Sequence, residues 1–332
     1  MKTSRRKFIA GSIMATAGLS TGLNVLAGTS ESEKSPGEFA PEMNDEFSIS
    51  IFSKHLQWLD YSEMAKVAAD MGFDGIDLTV RPNGHVLPEN VEKDLPKAME
   101  AVTKAGLKIF MITTSVYDAE DPLSERVLKT ASSLGIRHYR MGYGHYENSK
   151  SAEENIANVH RKLAQLAILN EKHSISGEYQ NHSGNYASGI YFGGPVWDII
   201  DALKKINSPW LGSQYDIYHA TVEGANAWPI GLELISSYIR SIDIKDFQWS
   251  KKEGKWTSET VPLGEGMVDF KKYFGLLKKY NINCPVSIHY EYPLGGSEHG
   301  DKVLTIKRDS VISAMKKDIL TLKKLMQEAR LV

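Results

Sequence analysis

The chain has 332 residues, of which 42% are hydrophobic and 24% are charged, and its formal net charge is −2. This composition is typical of a globular protein, and the charge argues against a nucleic-acid partner, which usually requires a basic face. A single cysteine, Cys284, excludes an intramolecular disulfide and a cysteine-rich zinc site.

The N-terminus has the three regions of an export signal. Residues 1–28 contain a basic start with Ser-Arg-Arg-Lys-Phe-Ile at residues 4–9, an apolar middle that is too weak for a membrane span, and a small-residue end at Val25–Ala27. This order resembles a twin-arginine signal. The alternative is a chance basic start on a flexible tail. We therefore expect a periplasmic protein, exported by the twin-arginine route and free of the membrane afterwards.

Residues 29–45 are rich in Ser, Glu and Pro, which is typical of a flexible linker. From residue 46 to residue 332, strand-like and helix-like runs alternate. The predicted strands are Phe47–Phe52, Gly75–Val80, Leu107–Thr113, His138–Gly142, Ser174–Tyr179, Trp210–Asp216, Ile239–Lys245 and Val286–Glu291. The predicted helices are Tyr61–Met71, Pro88–Ala105, Pro122–Leu134, Ala152–His173, Pro195–Ile206, Pro229–Tyr238, Val268–Tyr280 and Thr305–Leu331.

This alternation of eight strands and eight helices favours a parallel α/β fold. An open doubly wound sheet usually carries a glycine-rich turn after its first strand, whereas this strand runs into Ser53-Lys54-His55. We therefore predict a single-domain (β/α)8 TIM barrel at residues 46–332. The connections at residues 81–87 and 248–266 are longer than the scaffold requires, so we expect both to cover a site.

Four of the predicted strands end in polar side chains. The fifth strand opens into Gln180-Asn181-His182-Ser183, and the next three end in polar residues at 214–219, 241–246 and 287–292. Active sites of (β/α)8 barrels are built from the C-terminal ends of several strands. These four ends therefore predict a shared polar pocket.

The same strand ends carry a resemblance to a family. The strand order, the Asp-x-x-His unit at Asp216–His219, the sequence DIKDF at Asp243–Phe247 and the acid after the eighth strand resemble the xylose-isomerase-like barrels over Glu46–Leu325. That superfamily includes sugar-phosphate isomerases and epimerases and the type-2 apurinic endonucleases.

The resemblance implies a divalent metal ion, manganese foremost, at the ends of strands five to eight. The matching positions are Gln180, Asp216, Asp243 and His289, where the family usually has Glu, Asp, His and Glu. Two carboxylates, an imidazole and an amide oxygen are suitable ligands for manganese or a similar ion. The alternative is a metal-free polar pocket of the same shape.

The residue at position 180 bears on the mechanism, because an amide is not a useful general base. We expect His289 or Glu291 to act as the base, and His219 and Lys245 to orient or polarise oxygens of the substrate. The candidate substrate contacts are Arg81, His85, Glu178, His182 and Trp249.

The predicted function is an exported, metal-assisted sugar isomerase or epimerase that removes a proton beside the carbonyl of a sugar or keto-sugar. The alternatives are a lyase or hydratase acting on keto-glycosides, and a non-catalytic sugar-binding barrel. A type-2 apurinic endonuclease is disfavoured by the export signal and the negative charge. We expect a small-molecule sugar as the partner and no nucleic acid, and we leave open whether the protein is a homo-oligomer.

Overall fold

The structure is a computed structural model that describes residues 47–186 and 189–332. The predicted signal and linker, at residues 1–28 and 29–45, lie outside the described residues. Within the described ranges, no helix has the length and apolar character needed to cross a bilayer.

Eight parallel strands close into one barrel, which confirms the predicted single-domain (β/α)8 fold. Neighbours around the barrel follow chain order, and the last strand pairs with the first through Val286–Ile288 and Ile49–Ile51. The barrel strands are β1 (Ile49–Phe52), β2 (Gly75–Val80), β3 (Lys108–Thr114), β4 (His138–Arg140), β5 (Ser176–Gln180), β6 (Leu211–Asp216), β7 (Ile239–Ile244) and β8 (Val286–Ile288).

The helices connect these strands in the order expected for the fold. Those in the described residues are α1 (Tyr61–Met71), α2 (Val91–Lys104), α3 (Pro122–Ser133), α4 (Ala152–His173), α5 (Val196–Ile206), α6 (Ile217–Gly224), α7 (Trp228–Ile235), α8 (Phe270–Lys279) and α9 (Arg308–Glu328). The helix α6, which starts directly after β6, is not predicted from the sequence. It is only eight residues long, and its polar N-terminal sequence resembles an active-site loop.

Local sequence signals explain where several helices begin and end. Asp60 caps α1 by accepting a hydrogen bond from the backbone N–H of Glu63 at 2.9 Å. Ser151 and Glu154 form a reciprocal capping box at the start of α4. Gly72 ends α1 at φ 94°, a left-handed conformation that glycine adopts without strain.

Alternate residues of the barrel strands face the surrounding helices and the barrel interior. On β2, Leu78 belongs to the hydrophobic core. Asp77 points the other way and accepts 2.8 Å hydrogen bonds from the hydroxyls of Thr113 on β3 and Ser287 on β8. The interior of the barrel is therefore polar along part of its depth.

The connection at residues 248–266, which the sequence shows to be longer than the scaffold requires, has regular structure over most of its length. Asp246–Lys252 and Lys255–Val261 form an antiparallel hairpin, and the charged residues along both segments conceal its strand pattern. A second small sheet pairs His145–Tyr146 with Gly189–Tyr191, which also pairs with Asn185–Tyr186. Strands of two and three residues are too short for a sequence pattern to reveal.

Candidate active site

The C-terminal ends of the barrel strands surround a polar pocket. Its lining residues include Phe52, Lys54, Arg81, Arg140, Tyr143, Gln180, His182, Lys245, His289 and Glu291. Six of the predicted site residues are thereby brought together, from the ends of β2, β5, β7 and β8 and the turns that follow them. This is the face on which TIM barrels carry their active sites.

Gln180, the last residue of β5, is the centre of a hydrogen-bonded cluster in this pocket. Its Nε2 donates to Asp216 Oδ2 at 3.0 Å and to Asp243 Oδ2 at 2.5 Å. Its Oε1 accepts from Arg140 Nη1 at 2.9 Å and from the hydroxyl of Tyr143. An arginine has donors and no acceptor, so this network fixes the amide oxygen toward Arg140 and the NH2 group toward the two carboxylates.

Lys245 supplies a buried positive charge beside this cluster. Its Nζ lies 3.1 Å from Asp216 Oδ2, 3.0 Å from Glu291 Oε2 and 2.8 Å from His219 Nε2. Burial alone would lower the pKa of Lys245, but Asp216 and Glu291 raise it above its ordinary value. The ammonium group therefore stays charged at neutral pH.

The carboxylates of the pocket differ in how readily they take up a proton. Burial raises the pKa of Asp216 and of Asp243 to about 7. Burial would also raise the pKa of Glu291, but Lys245 and Lys54 outweigh it and hold that pKa well below its usual value. Lys54 Nζ donates to Glu291 Oε1 at 2.9 Å. Glu291 is thus a fixed counterion to two lysines and a weak base.

His289, on the turn after β8, has a neutral ring with free nitrogens. Its side chain is 1% exposed and stacks on Phe52 with ring centroids 4.5 Å apart. Nε2 lies 3.2 Å from Asp243 Oδ1, yet neither ring nitrogen has an aligned hydrogen-bond partner among the described residues. Burial, and then the charge of Lys245, lowers the pKa of His289 well below its ordinary value. One nitrogen is therefore a free acceptor.

Two guanidinium groups lie close to the same Phe52 ring. The guanidinium carbons of Arg81 and Arg140 are 5.4 Å and 5.1 Å from its centroid. The buried Nε of Arg140 has no hydrogen-bond partner within the described part of the chain. Burial and the neighbouring Arg140 lower the pKa of Arg81 to about 10, so it remains charged at neutral pH. The pocket thus offers unused N–H donors beside the free His289 ring.

Arg140 and Tyr143 line the pocket but are not among the site residues predicted from the sequence. A signal for Arg140 was present, because it lies two residues after His138 on β4, and residues two apart on a strand share a face. No pattern marked Tyr143, which follows the end of β4 and reaches Gln180 only through the fold.

Three of the four predicted metal ligands lie together. Asp216, Asp243 and His289 could hold a metal ion, since one ligand atom from each lies within 4.8 Å of the others. Gln180 does not complete this set, because its NH2 group, not its oxygen, faces the carboxylates. A metal ion requires lone pairs, and the Lys245 ammonium also lies 3.1 Å from Asp216. As arranged, the four residues do not fit the manganese ion that the resemblance implies.

His182 and His219 form a close pair beside the pocket, with tilted rings whose centroids are 3.9 Å apart. Burial, and then the charge of Lys245, lowers the pKa of His182 to about 3. Burial and the neighbouring His182 lower the pKa of His219 well below its ordinary value. Ser183 Oγ lies 2.7 Å from His219 Nδ1, so His219 is held by protein groups at both nitrogens. His182 is the member of the pair that lines the pocket.

Three predicted substrate contacts lie outside the lining of this pocket. His85 is turned away, with Nε2 3.2 Å from a backbone carbonyl oxygen of the turn after β1. Glu178 faces the barrel interior as expected, but one layer deeper, where it contacts His138 Nδ1 at 2.6 Å and accepts a hydrogen bond from Ser241. Trp249 lies on the hairpin, 41% exposed and packed edge-on against Phe247. The alternation of side chains along a strand predicts which face of the sheet a side chain lies on, but not how deep it lies in the barrel.

Comparison with known proteins agrees with this architecture. A family model described as xylose isomerase-like TIM barrel matches residues 65–308. A Haemophilus influenzae protein, SgbU, which is named for L-ribulose-5-phosphate 3-epimerase activity, is 25% identical over 247 residues, covering 69% of this chain and 82% of the relative.

Solved structures share the fold at low sequence identity. D-allulose 3-epimerase from Methylomonas sp., in complex with D-allulose, is 16% identical with a TM-score of 0.61, covering 86% of this chain and 99% of that one. The 3-keto-D-glucoside 4-epimerase of E. coli is 13% identical with a TM-score of 0.59, covering 84% of this chain and 100% of that one.

Proposed function

Because the chain belongs to the xylose isomerase-like TIM barrel family, we propose that it is a sugar isomerase or epimerase that moves a proton at a carbon beside a carbonyl group. The names of its relatives support a sugar substrate, since one is named for ribulose-5-phosphate epimerase activity and another is solved with D-allulose. The observation that carries the proposal is the neutral His289 ring, without hydrogen bonds, in one pocket with the unpartnered Nε of Arg140.

In this proposal His289 removes the proton. Its ring is buried, neutral and free of hydrogen bonds, so a nitrogen lone pair is available. The carboxylate of Asp243, with Oδ1 3.2 Å from Nε2, would stabilise the imidazolium that forms. Glu291, the other predicted base, is a poorer candidate because two lysines hold it as a carboxylate of low pKa.

Removal of that proton places negative charge on the carbonyl oxygen of the substrate. Arg81 and the Nε of Arg140 provide donors for this oxygen, and Lys245 adds positive charge nearby. Pre-positioned donors of this kind lower the barrier because they need no reorganisation during the reaction. Lys245 thus keeps the polarising role that the sequence predicts. His219 is held at its two nitrogens by Lys245 and Ser183, so it acts on the substrate only through that lysine.

The amide at position 180 favours chemistry that uses one base. A proton shift between neighbouring carbons on one face of a sugar requires one base, whereas epimerisation by two bases requires a second acceptor. Gln180 takes the place of that second acceptor and cannot accept a proton. This same observation favours a lyase or hydratase on a keto-glycoside as the second candidate, because elimination also begins with removal of one proton.

A divalent ion such as manganese is the alternative source of positive charge. Its support is the cluster of Asp216, Asp243 and His289. Against it, Gln180 and Lys245 would have to move.

Export by the twin-arginine route to the periplasm is also part of the proposal. It rests on the sequence of residues 1–28, and detection of the processed chain in a periplasmic fraction tests it.

Solvent deuterium exchange tests the proposed chemistry. Purified protein is incubated in D2O with keto-sugars that include L-ribulose 5-phosphate and D-allulose, and deuterium at the carbon beside the carbonyl is measured by NMR. We expect exchange with at least one sugar, and we expect His289→Phe to slow it by about 10²-fold or more, because the ring remains and its nitrogens are lost. His173→Phe, which changes a histidine at the end of α4, is the matched control.

The possible outcomes distinguish between the candidate functions and test the role of His289. Binding of a sugar without exchange or product would contradict catalysis and favour a sugar-binding barrel. Exchange accompanied by loss of water or of an aglycone would identify the lyase or hydratase. Equal exchange by wild type and His289→Phe would show that another group is the base.

A further inference from the structure

The space between Asp216 and Asp243 is occupied by groups of this chain that carry hydrogen atoms and positive charge. Gln180 Nε2 donates to one oxygen of each carboxylate, at 3.0 Å and 2.5 Å. Lys245 Nζ lies 3.1 Å from the same Asp216 oxygen that Gln180 contacts. From this geometry we infer that Lys245 and the Gln180 amide take the place of a divalent metal ion, so that the pocket functions without one.

The orientation of the Gln180 amide is fixed by two groups that donate hydrogen bonds to its oxygen. Arg140 Nη1 donates to the amide oxygen at 2.9 Å, and the Tyr143 hydroxyl donates to it as well. A reversed amide would direct its NH2 group at the guanidinium, which has no lone pair to offer. Gln180 therefore does not become an oxygen ligand by a simple rotation of its terminal group.

The groups around Lys245 are consistent with a permanent cation. All three N–H directions of the ammonium have a partner, namely Asp216, Glu291 and His219. The side chain is 1% exposed, so its charge is not dispersed by solvent. A divalent ion bound to Asp216 would lie next to this ammonium and be repelled by it.

This inference deepens the proposed function and rests on it for the identity of the substrate oxygen. With no metal ion in place, that oxygen would be polarised by the unpartnered Nε of Arg140 and by the charges of Arg81 and Lys245. The inference concerns metal occupancy, which is measured without turnover. A failure of the proposed reaction and a failure of this inference are therefore distinguishable.

The experiment measures metal content and thermal stability of the full chain. Wild type, Gln180→Glu and the double variant Gln180→Glu/Lys245→Met are expressed with added manganese, purified without chelator, dialysed, and assayed by elemental analysis. We expect wild type to hold far less than one ion per chain and to show no rise in melting temperature with added MnCl2. We expect at least one variant to hold one ion per chain and to melt at a higher temperature with MnCl2, since binding to the folded state stabilises it.

Two results would overturn the inference. The first is wild type with close to one ion per chain and a melting temperature that falls after treatment with EDTA. The second is failure of both folded variants to gain an ion, because Gln180 and Lys245 would then not be what replaces the metal. The double variant guards against the case in which Gln180→Glu alone fails because the retained ammonium neutralises the new carboxylate.

Discussion

Two layers of the barrel interior each contain a glutamate, and the partners of these glutamates differ. In the deeper layer, fully buried Glu178 contacts His138 and accepts a hydrogen bond from the hydroxyl of Ser241. In the upper layer, Glu291 is paired with the ammonium groups of Lys54 and Lys245. The deeper layer is held mainly by hydroxyl and imidazole groups, whereas the upper layer is held by full charges.

The layers also differ in how completely the polar groups that face the pocket are hydrogen-bonded. Asp77 and Glu178, in the deeper layer, each have two side-chain partners. In the upper layer, the nitrogens of His289 and the Nε of Arg140 are buried without a hydrogen-bond partner in the described residues, and both residues line the pocket. Gln214 Oε1 also lacks a partner there, but Gln214 does not line the pocket. A buried polar group without a partner costs free energy, so one that lines a pocket indicates a site that a ligand completes. The deeper layer supports the barrel and the upper layer supports the chemistry.

The largest effect is expected from Lys245→Met, which removes the cation of the upper layer. Asp216 and Glu291 would lose a buried partner, and we expect the free energy of unfolding to fall by about 3–5 kcal/mol. Lys54→Met is the matched control, since Lys54 also pairs with Glu291 but is more exposed, and we expect a loss of about 1 kcal/mol. Urea unfolding of both variants measures this difference. Equal, small losses would mean that charge does not hold the upper layer together.

A smaller loss of stability, with no loss of activity, is expected from Glu178→Gln in the deeper layer. The new NH2 group cannot accept the hydrogen bond that a carboxylate oxygen accepts, so we expect a loss of about 1–3 kcal/mol in unfolding free energy. Deuterium exchange into substrate, corrected for the folded fraction, should stay at the wild-type rate because Glu178 does not line the pocket. A selective loss of exchange at unchanged stability would place Glu178 in the catalytic machinery instead.

The sequence predicted which way side chains point better than how deep they lie in the barrel, because sequence patterns depend on direction and not on depth. The strand β2 and the helices α1 and α4 have the predicted boundaries, since capping residues and buried apolar runs are local signals. Glu178 and Gln180 also face the interior as parity requires. Their depth and partners depend on how the barrel closes, which no local pattern contains.

The orientation of the Gln180 amide illustrates the same limit. The sequence placed Gln180 among the candidate metal ligands, and in the structure its amide contacts both of the candidate carboxylate ligands. Whether its oxygen or its NH2 group faces the carboxylates is decided by Arg140, which comes from a three-residue strand about forty positions earlier. A candidate metal ligand was therefore identifiable from the sequence, while its fit to a metal was not.

The smallest expected effect concerns how the unfolding free energy of Asp77→Asn depends on pH. Burial raises the pKa of Asp77 to about 7 in the folded protein, above the value of about 3.9 expected in the unfolded chain. The folded state therefore binds this proton more tightly, and its stabilising contribution is complete below about pH 4 and is lost as the pH rises through about 7. An asparagine does not titrate, so Asp77→Asn escapes this loss. Relative to wild type, we expect the variant to gain about 1–3 kcal/mol in unfolding free energy between about pH 5 and pH 8.

Thr113→Val provides the comparison. Removing the hydroxyl that donates to Asp77 should make the unfolding free energy fall more steeply with rising pH than in wild type. Parallel pH profiles for wild type and Asp77→Asn would show that Asp77 does not titrate in this range and that the deeper layer carries charge as the upper layer does.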